Sequence, residues 1–331
     1  MTSIRLLIAI MIASSAAMLC ITPLDYELAV WLAGYKVPWF VALMSESIFE
    51  FEMLGGGDLV VFYAAVCLVL YLLSSLLDVD CAARPRLFRL QNLAAGRPGR
   101  ADWLRRNRLR LEFMVVSTFC CSTLMVKTLK WIMARPRPKK VFWGTRPFNE
   151  WFEMGPYFLD EGPYRASFPS GHTASAISLI GLAYVLIFSF SDNRHRRSGL
   201  IVLGGVLVFV SAMAVARVMT RAHWPTDVSF SIFGGWLLIH ILFFYGLRVA
   251  GFQDAQADPG GELCPPPPFR GIRICWYLAL FCLALVAVVI GLKHFVHGRW
   301  PWLALFSLAA LPLLFYAAWK AFEQGLFRRE R

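Results

Sequence analysis

Apolar stretches recur along this chain at lengths that set it apart from a water-soluble domain. A helix needs about 17–25 residues to cross about 30 Å of hydrocarbon. Eight segments approach or meet that length: Leu6–Ile21, Leu59–Leu77, Leu111–Ala134, His172–Phe190, Leu200–Arg217, Val228–Leu247, Ile274–Leu292 and Trp302–Phe322. A backbone in lipid must satisfy its N–H and C=O groups internally, so each run is predicted to be a helix. The pattern predicts an all-α fold, a polytopic membrane bundle with six spans as a core in residues 1–250 and two more as a C-terminal extension in 274–331. Between them, 251–273 contains Pro259–Gly261 and the run Pro265–Pro268, which read as a stiff, extended cytoplasmic linker. No internal repeat and no heptad pattern is visible.

Composition agrees with this reading: 58% of residues are hydrophobic and 16% charged. The formal net charge of +12 invites a nucleic-acid reading, but its placement points to a membrane. Arg84, Arg86, Arg89, Arg97, Arg100, Arg105, Arg106, Arg108 and Arg110 lie between the second and third spans. Arg194, Arg196 and Arg197 lie between the fourth and fifth, and Arg328, Arg329 and Arg331 at the end. All fall on one side by parity, and by the positive-inside rule that side is cytoplasmic, against anionic headgroups. The expected partners are therefore membrane lipids, with no nucleic acid.

The eight cysteines fall inside spans or in cytoplasmic segments without paired metal-ligand spacing, so neither a disulfide nor a cysteine-bound metal is expected. Arg5 and the small residues Ser14–Ala17 give the first span some likeness to a secretory signal, but Leu19 is bulky where a lipoprotein-type cleavage at Cys20 wants a small residue. The stretch Asp25–Met53, with Lys36, Pro38, Glu46, Glu50 and Glu52, reads as an amphipathic segment lying on the outer surface.

Three polar clusters carry the candidate chemistry. Lys130 is followed by Arg135-Pro136-Arg137-Pro138 where the third span ends, two prolines stopping the helix. Pro169-Ser170-Gly171-His172 opens the fourth span, and Arg217, His223 and Asp227 cross from the fifth span into the sixth, with Pro225 suited to a first helical turn. Parity places all three on the same face. Phosphoryl transfer spreads negative charge over equatorial oxygens, which fixed cations and helix N-terminal amides stabilise. Lys130, Arg137 and Arg217 supply cations, and the amides of Ser170 and Gly171 a helix N-terminus. Asp227, four residues beyond His223 on a helix, would accept a hydrogen bond from one ring nitrogen and leave the other to attack phosphorus. His223 is thus the expected nucleophile and His172 the general acid.

Lys130-x6-Arg137-Pro138, Pro169-Ser170-Gly171-His172 and Arg217-x5-His223-x3-Asp227 together resemble the three-part signature of the type 2 phosphatidic acid phosphatase superfamily, which includes bacterial lipid phosphatases and vanadium haloperoxidases. The resemblance spans about Leu111 to Leu247. It implies a six-helix core, a phosphohistidine intermediate and no required metal or other cofactor. It assigns phosphate binding to Lys130, Arg137, Ser170, Gly171 and Arg217, the acid to His172, the nucleophile to His223 and its support to Asp227. Two positions depart from the pattern. Ala216 stands where serine is usual, which suggests altered substrate preference, and Ala134 where many members have glycine.

The expected activity is hydrolysis of a lipid phosphate monoester or diphosphate at the outer face of a membrane, in a bacterium the inner membrane with the site facing the periplasm or exterior. The loop around Gly144-Thr145, Phe148 and Ser167-Phe168 is loosely similar to that of lipid A phosphatases. Undecaprenyl diphosphate, phosphatidylglycerol phosphate and phosphatidic acid fit equally. A phosphotransferase using the same site is the close rival. A transporter is the rival of another class, disfavoured because transport sites are expected at the bilayer midplane on repeated halves.

Several other residues lie outside this scheme. Lys127, one turn before Lys130, is read as structural. Arg135, Lys139, Lys140, Arg146 and Arg165 suit an anionic headgroup or plain solvation, and Arg221 a second contact of that kind. His195 and His240 carry no chemistry, and His294 with His297 lacks a carboxylate or cysteine to complete a metal site. The aromatic loop Phe142–Phe168 is read as an interfacial belt.

Overall fold

The structure, a computed structural model, describes residues 2–35, 37–47, 58–77, 99–154, 166–250, 269–297 and 300–324. Among these residues there are helices and no strand, and eight helical segments are long and apolar enough to cross a membrane. They are α1 (Thr2–Ile21) with α2 (Asp25–Gly34), α3 (Asp58–Leu76), α4 (Arg100–Phe119) with α5 (Val126–Met133), α6 (Gly171–Ser178) with α7 (Ile180–Phe188), α8 (Asn193–Met219), α9 (Pro225–Ile241), α10 (Arg270–Val296) and α11 (Ala304–Glu323). The linker from 251 to 268 and the basic tail fall outside the described residues, as do Arg84, Arg86, Arg89, Arg97, Cys81 and Cys264.

Three helices begin earlier than hydropathy predicts, at Arg100, Asn193 and Arg270. Apolar composition locates the hydrocarbon, whereas backbone hydrogen bonding continues beyond it wherever the sequence favours helix, as the Arg- and Leu-rich stretch after Gly99 does. Asp192 marks the start of α8 by accepting the His195 N–H at 3.2 Å. These starts share one end of the bundle. There Arg110 donates to the Ser189 carbonyl at 2.6 Å and lies over the Phe190 ring.

The segment after α1 departs from expectation. A single 3₁₀ turn, Thr22–Leu24, separates α1 from α2. Helix α2 turns Asp25, Ala29 and Ala33 inward and leaves Tyr26, Val30, Trp31 and Tyr35 outward. An amphipathic surface helix would present the reverse. Small residues are buried because α2 packs closely on α8 and α9.

The core is built on α4, α6, α7 and α9, with Phe113, Ile177, Ile180, Tyr184 and Ile239 all essentially inaccessible. Helix α6 lies so close to α9 that a Cβ on Gly235 would fall 2.5 Å from the Ile177 side chain. That approach brings the start of the fourth span against the start of the sixth. His240 donates from Nε2 to the Ser3 carbonyl at 3.0 Å and accepts the Tyr184 hydroxyl at Nδ1 at 3.1 Å, tying α1 to the bundle.

The two C-terminal helices pair with each other and support the third span. Glu112 of α4 accepts from the Gly271 and Ile272 amides at 2.6 and 3.2 Å, so a carboxylate caps the N-terminus of α10. At the other end Lys293 donates to the Ile132 carbonyl, and Leu285, Val286 and Val289 pack on Ile132, Met133 and Phe168. Helix α10 thus holds the helix that carries Lys130. The described cysteines are free thiols, and the sulfurs of Cys120 and Cys275 lie 3.9 Å apart.

Candidate active site

The third span ends where Ala134 turns left-handed, at φ 51°, with its N–H on the Lys130 carbonyl. This is a C-terminal helix cap, the position at which glycine escapes the Cβ clash that an L-residue suffers. Pro136 and Pro138 prevent the helix from resuming before the short turn Pro138–Phe142. The chain between them is fixed from across the bundle, since the Pro136 carbonyl accepts the Trp224 indole N–H at 2.8 Å and the Lys139 amide donates to the Arg221 carbonyl at 3.1 Å.

Ser170 is the N-cap of α6, its hydroxyl accepting from the Thr173 amide at 3.4 Å and pairing with the Thr173 hydroxyl at 2.9 Å. Its own amide donates to the Asp227 carbonyl at 3.4 Å. The expectation that Ser170 offers a free N–H to phosphate is therefore corrected: its backbone joins the third cluster, and only Gly171 of the pair lines the cavity described below. Trp224 is the N-cap of α9 and Pro225 its first residue, so His223 precedes the helix and does not ride on it. Asp227 reaches back to accept the Trp224 amide at 2.8 Å.

Asp227 and His223 relate differently from the expected direct pair. The His223 Nδ1 lies 2.8 Å from the Ser167 carbonyl and 3.7 Å from Asp227 Oδ2, beyond hydrogen-bond reach. Asp227 instead accepts from the Ser167 hydroxyl, the Trp224 amide and, at 2.8 Å, Arg135 Nη1. Its lone pairs are taken by the groups that hold the loop, and the ring is oriented one step removed, through Ser167. Nδ1 carries the proton donated to that carbonyl, which leaves Nε2 as the basic nitrogen.

Arg135 is the centre of this network and is 1% exposed. Its Nη2 donates to Asp25 Oδ2 at 2.6 Å, its Nη1 to Thr226 Oγ1 and Asp227 Oδ1 at 2.8 Å, and its Nε to the Asn149 carbonyl at 2.8 Å. Asp25 in turn accepts from the Thr226 amide and hydroxyl at 2.8 and 2.7 Å. A headgroup role for Arg135 is thus corrected, because the side chain is buried and makes four hydrogen bonds inside the protein. Asp25, Ser167 and Thr226 were not read as site residues. The one available signal was a carboxylate at the end of an apolar run.

Other loop residues also turn inward. Phe142 and Phe148 meet Trp224 edge-on and Tyr26 stacks near it, while Trp151 packs on Phe168 and donates to Thr22 Oγ1 at 2.9 Å. The loop rings gather around the buried Trp224 and Phe168 rather than forming an interfacial belt, although Tyr26 at the edge of the cluster, Trp143 and Phe152 are exposed. Tyr157, Phe158, Tyr164 and Arg165 lie outside the described residues. Arg221 sits over the Phe142 ring at 5.6 Å. His294 is buried against Trp300 and His297 is exposed, so the two do not share a face.

A cavity of about 620 Å³ collects the remaining candidates: Lys130, Arg137, Gly171, His172, Arg217 and His223 all line it. Lys130 also donates to the Ala166 carbonyl at 2.6 Å. Ala216 is fully buried and is not among the lining residues, so the missing serine hydroxyl faces the packed interior. His223 is 2% exposed. Burial, followed by the positive charges of Lys130, Arg217 and Arg137, holds its pKa well below the ordinary imidazole value. Its ring is therefore neutral, with a lone pair available, at neutral pH.

The fold is that of a polytopic helical bundle, with a cavity at its helix ends lined by cationic side chains and two imidazoles. Residues 111–249 match the model of the PAP2 superfamily. The superfamily is one of phosphatases that act typically on lipid phosphates, and phosphatase is the activity this match implies. No curated protein and no solved structure gave a match.

Two substitutions test the local geometry. Arg135→Met would leave two carboxylates buried without their cation, and a loss of about 3–5 kcal/mol of stability is expected; thermal unfolding in detergent at the wild-type temperature would contradict this. Ala134→Gly relieves a left-handed alanine at some cost in chain entropy, and a net gain of about 0.5–1 kcal/mol is expected. The same melting experiment would show it as a raised midpoint, and a lowered midpoint would count against the strain.

Proposed function

We propose that this protein removes phosphate from a lipid phosphate monoester or diphosphate at the outer face of the membrane, through a phosphohistidine formed on His223 and without a metal. The observation that carries this reading is the composition of the cavity from one end to the other. At the loop end stand three cations and two imidazoles. Away from it the wall becomes apolar, formed by Val60, Val61, Ala64, Ala65 and Leu68 of α3 facing Val115 and Phe119 of α4. Val61, Leu68 and Phe119 line the cavity and are exposed. Such a wall suits a hydrocarbon tail that enters sideways from the bilayer while the phosphate meets the cations.

In this mechanism the neutral Nε2 of His223 attacks phosphorus as the bond to the lipid oxygen breaks, and His172 delivers a proton to that oxygen. Lys130, Arg137 and Arg217 take up the charge on the equatorial oxygens, assisted by the Gly171 end of α6. Water then attacks the phosphohistidine, giving a proton to His172, and inorganic phosphate leaves. Ser170 and Asp227 act by holding the loops. The outward orientation is supported by the arginines at the starts of α4, α8 and α10, which gather at the end of the bundle away from this site.

The test is phosphate release from a panel of lipid phosphates, with and without chelator. Wild type should release phosphate in both conditions, and His223→Ala should lose at least about 10³-fold in kcat. Comparable turnover by His223→Ala, or release abolished by chelator, would overturn the reading. The depressed pKa of His223 has a sign that can also be checked: the neutral nucleophile persists as pH falls through the ordinary imidazole range near 6.5. No loss of kcat/KM assignable to His223 is therefore expected until the pH lies well below that value.

A further inference from the structure

The Arg-Pro-Arg-Pro run that ends the third span leaves a gap in its hydrogen bonding that a distant part of the chain fills. In a continuous helix the Ile132 carbonyl would accept the N–H four residues on, but that residue is Pro136, which has none. Ile132 is buried, and a buried carbonyl without a donor is destabilising. The donor is Lys293 of α10, itself buried, whose Nζ meets this carbonyl. An ammonium is favoured there because the C-terminal end of a helix carries partial negative charge. Leu285, Val286 and Val289 of the same helix pack on Ile132, Met133 and Phe168. The start of α11 in turn closes on α10 within one turn of Lys293, where a Cβ on Gly291 would collide with Ser307 Oγ and the Leu303 carbonyl.

Each of these contacts lies beside a group that serves the cavity. Ile132 falls between the lining residues Lys130 and Arg137, and Phe168 follows Ser167, whose carbonyl accepts from the His223 ring. Fixed cations stabilise a transferring phosphoryl group only while their positions are kept, and an error of about 1 Å is enough to slow the reaction. We propose that Lys293 is a positioning residue for the phosphate site: by supplying the donor that Pro136 lacks, it fixes the last turn of α5 and with it Lys130 and Arg137. Lys293 is not among the residues that line the cavity, so it acts through α5 and not on the phosphate itself. The role rests on the phosphatase reading. It brings the C-terminal helices, which lie outside residues 111–249, into the working of the site.

The experiment uses the purified full-length protein in detergent, with whichever of dodecyl phosphate, dioleoyl phosphatidic acid and farnesyl diphosphate wild type turns over fastest. It measures kcat, KM and the competitive inhibition constant for inorganic phosphate. Lys293→Met should raise KM and the inhibition constant together, with kcat/KM falling about tenfold or more. Lys293→Arg, which still donates, should recover most of the loss. A merely structural role would reduce the amount of folded enzyme, lowering turnover while KM and the inhibition constant stayed where they were. Val289→Ala trims the same support without touching the donor, and should shift both constants in the same direction by a smaller factor. Both constants unchanged in Lys293→Met, or in Val289→Ala where Lys293→Met does not fold, would overturn the positioning role while leaving the phosphatase reading intact. A loss in Lys293→Arg equal to that in Lys293→Met would do the same. Wild-type protein releasing phosphate from none of the three substrates would remove that reading and this role with it.

Discussion

A guanidinium sealed between two carboxylates holds this site together. Arg135 lies at the end of the third span, Asp25 at the end of the first and Asp227 at the start of the sixth, and the fork geometry of arginine lets one side chain reach both acids and Thr226 at once. Buried charges of this kind are tolerated only when every donor and lone pair is engaged, which makes the arrangement of the three chain segments mutually dependent. The loop bearing His223 inherits its position from that network through Ser167, whose hydroxyl meets Asp227 and whose carbonyl meets the imidazole.

The membrane gives this arrangement its shape. Spans must close their own hydrogen bonds, so irregular backbone and clustered charge are confined to helix ends, and three such ends converge because α6 packs tightly on α9. From that polar end the cavity runs along α3 and α4 toward apolar side chains. Helix α10, outside the region that matches the superfamily, props the opposite side of the third span at Glu112 and Ile132. The C-terminal pair thereby bears on the helix that presents Lys127 and Lys130.

Much of this was legible in the residues themselves. Apolar run length located the eight spans, and parity placed Lys130, His172 and His223 on one face. Pro225 and Ser170 gave their helix starts through local rules of capping. What sequence spacing misplaced was direction. Asp227 is four residues from His223, yet the helix starts between them, so the carboxylate faces the backbone of Trp224 and the guanidinium of Arg135 instead of the ring. Arg135 and Arg137 flank Pro136 and diverge, one into the protein and one to the cavity lining. A basic residue in an outer loop gives no sign of this unless its partner is known, and Asp25 lies 110 residues away. Ala134 was noted only as an absent glycine, and its left-handed backbone shows what that glycine would have relieved.

The central claim is that Nε2 of His223 becomes covalently attached to phosphorus. The most direct measurement is rapid quenching of the purified protein with a lipid substrate labelled with ³²P in its terminal phosphate, followed by alkaline digestion and peptide mapping. The account predicts acid-labile, base-stable label on the peptide containing His223, formed and lost at rates compatible with turnover. Label on any other residue, or turnover with no protein-bound label under conditions where breakdown of the intermediate is slowed, would contradict it.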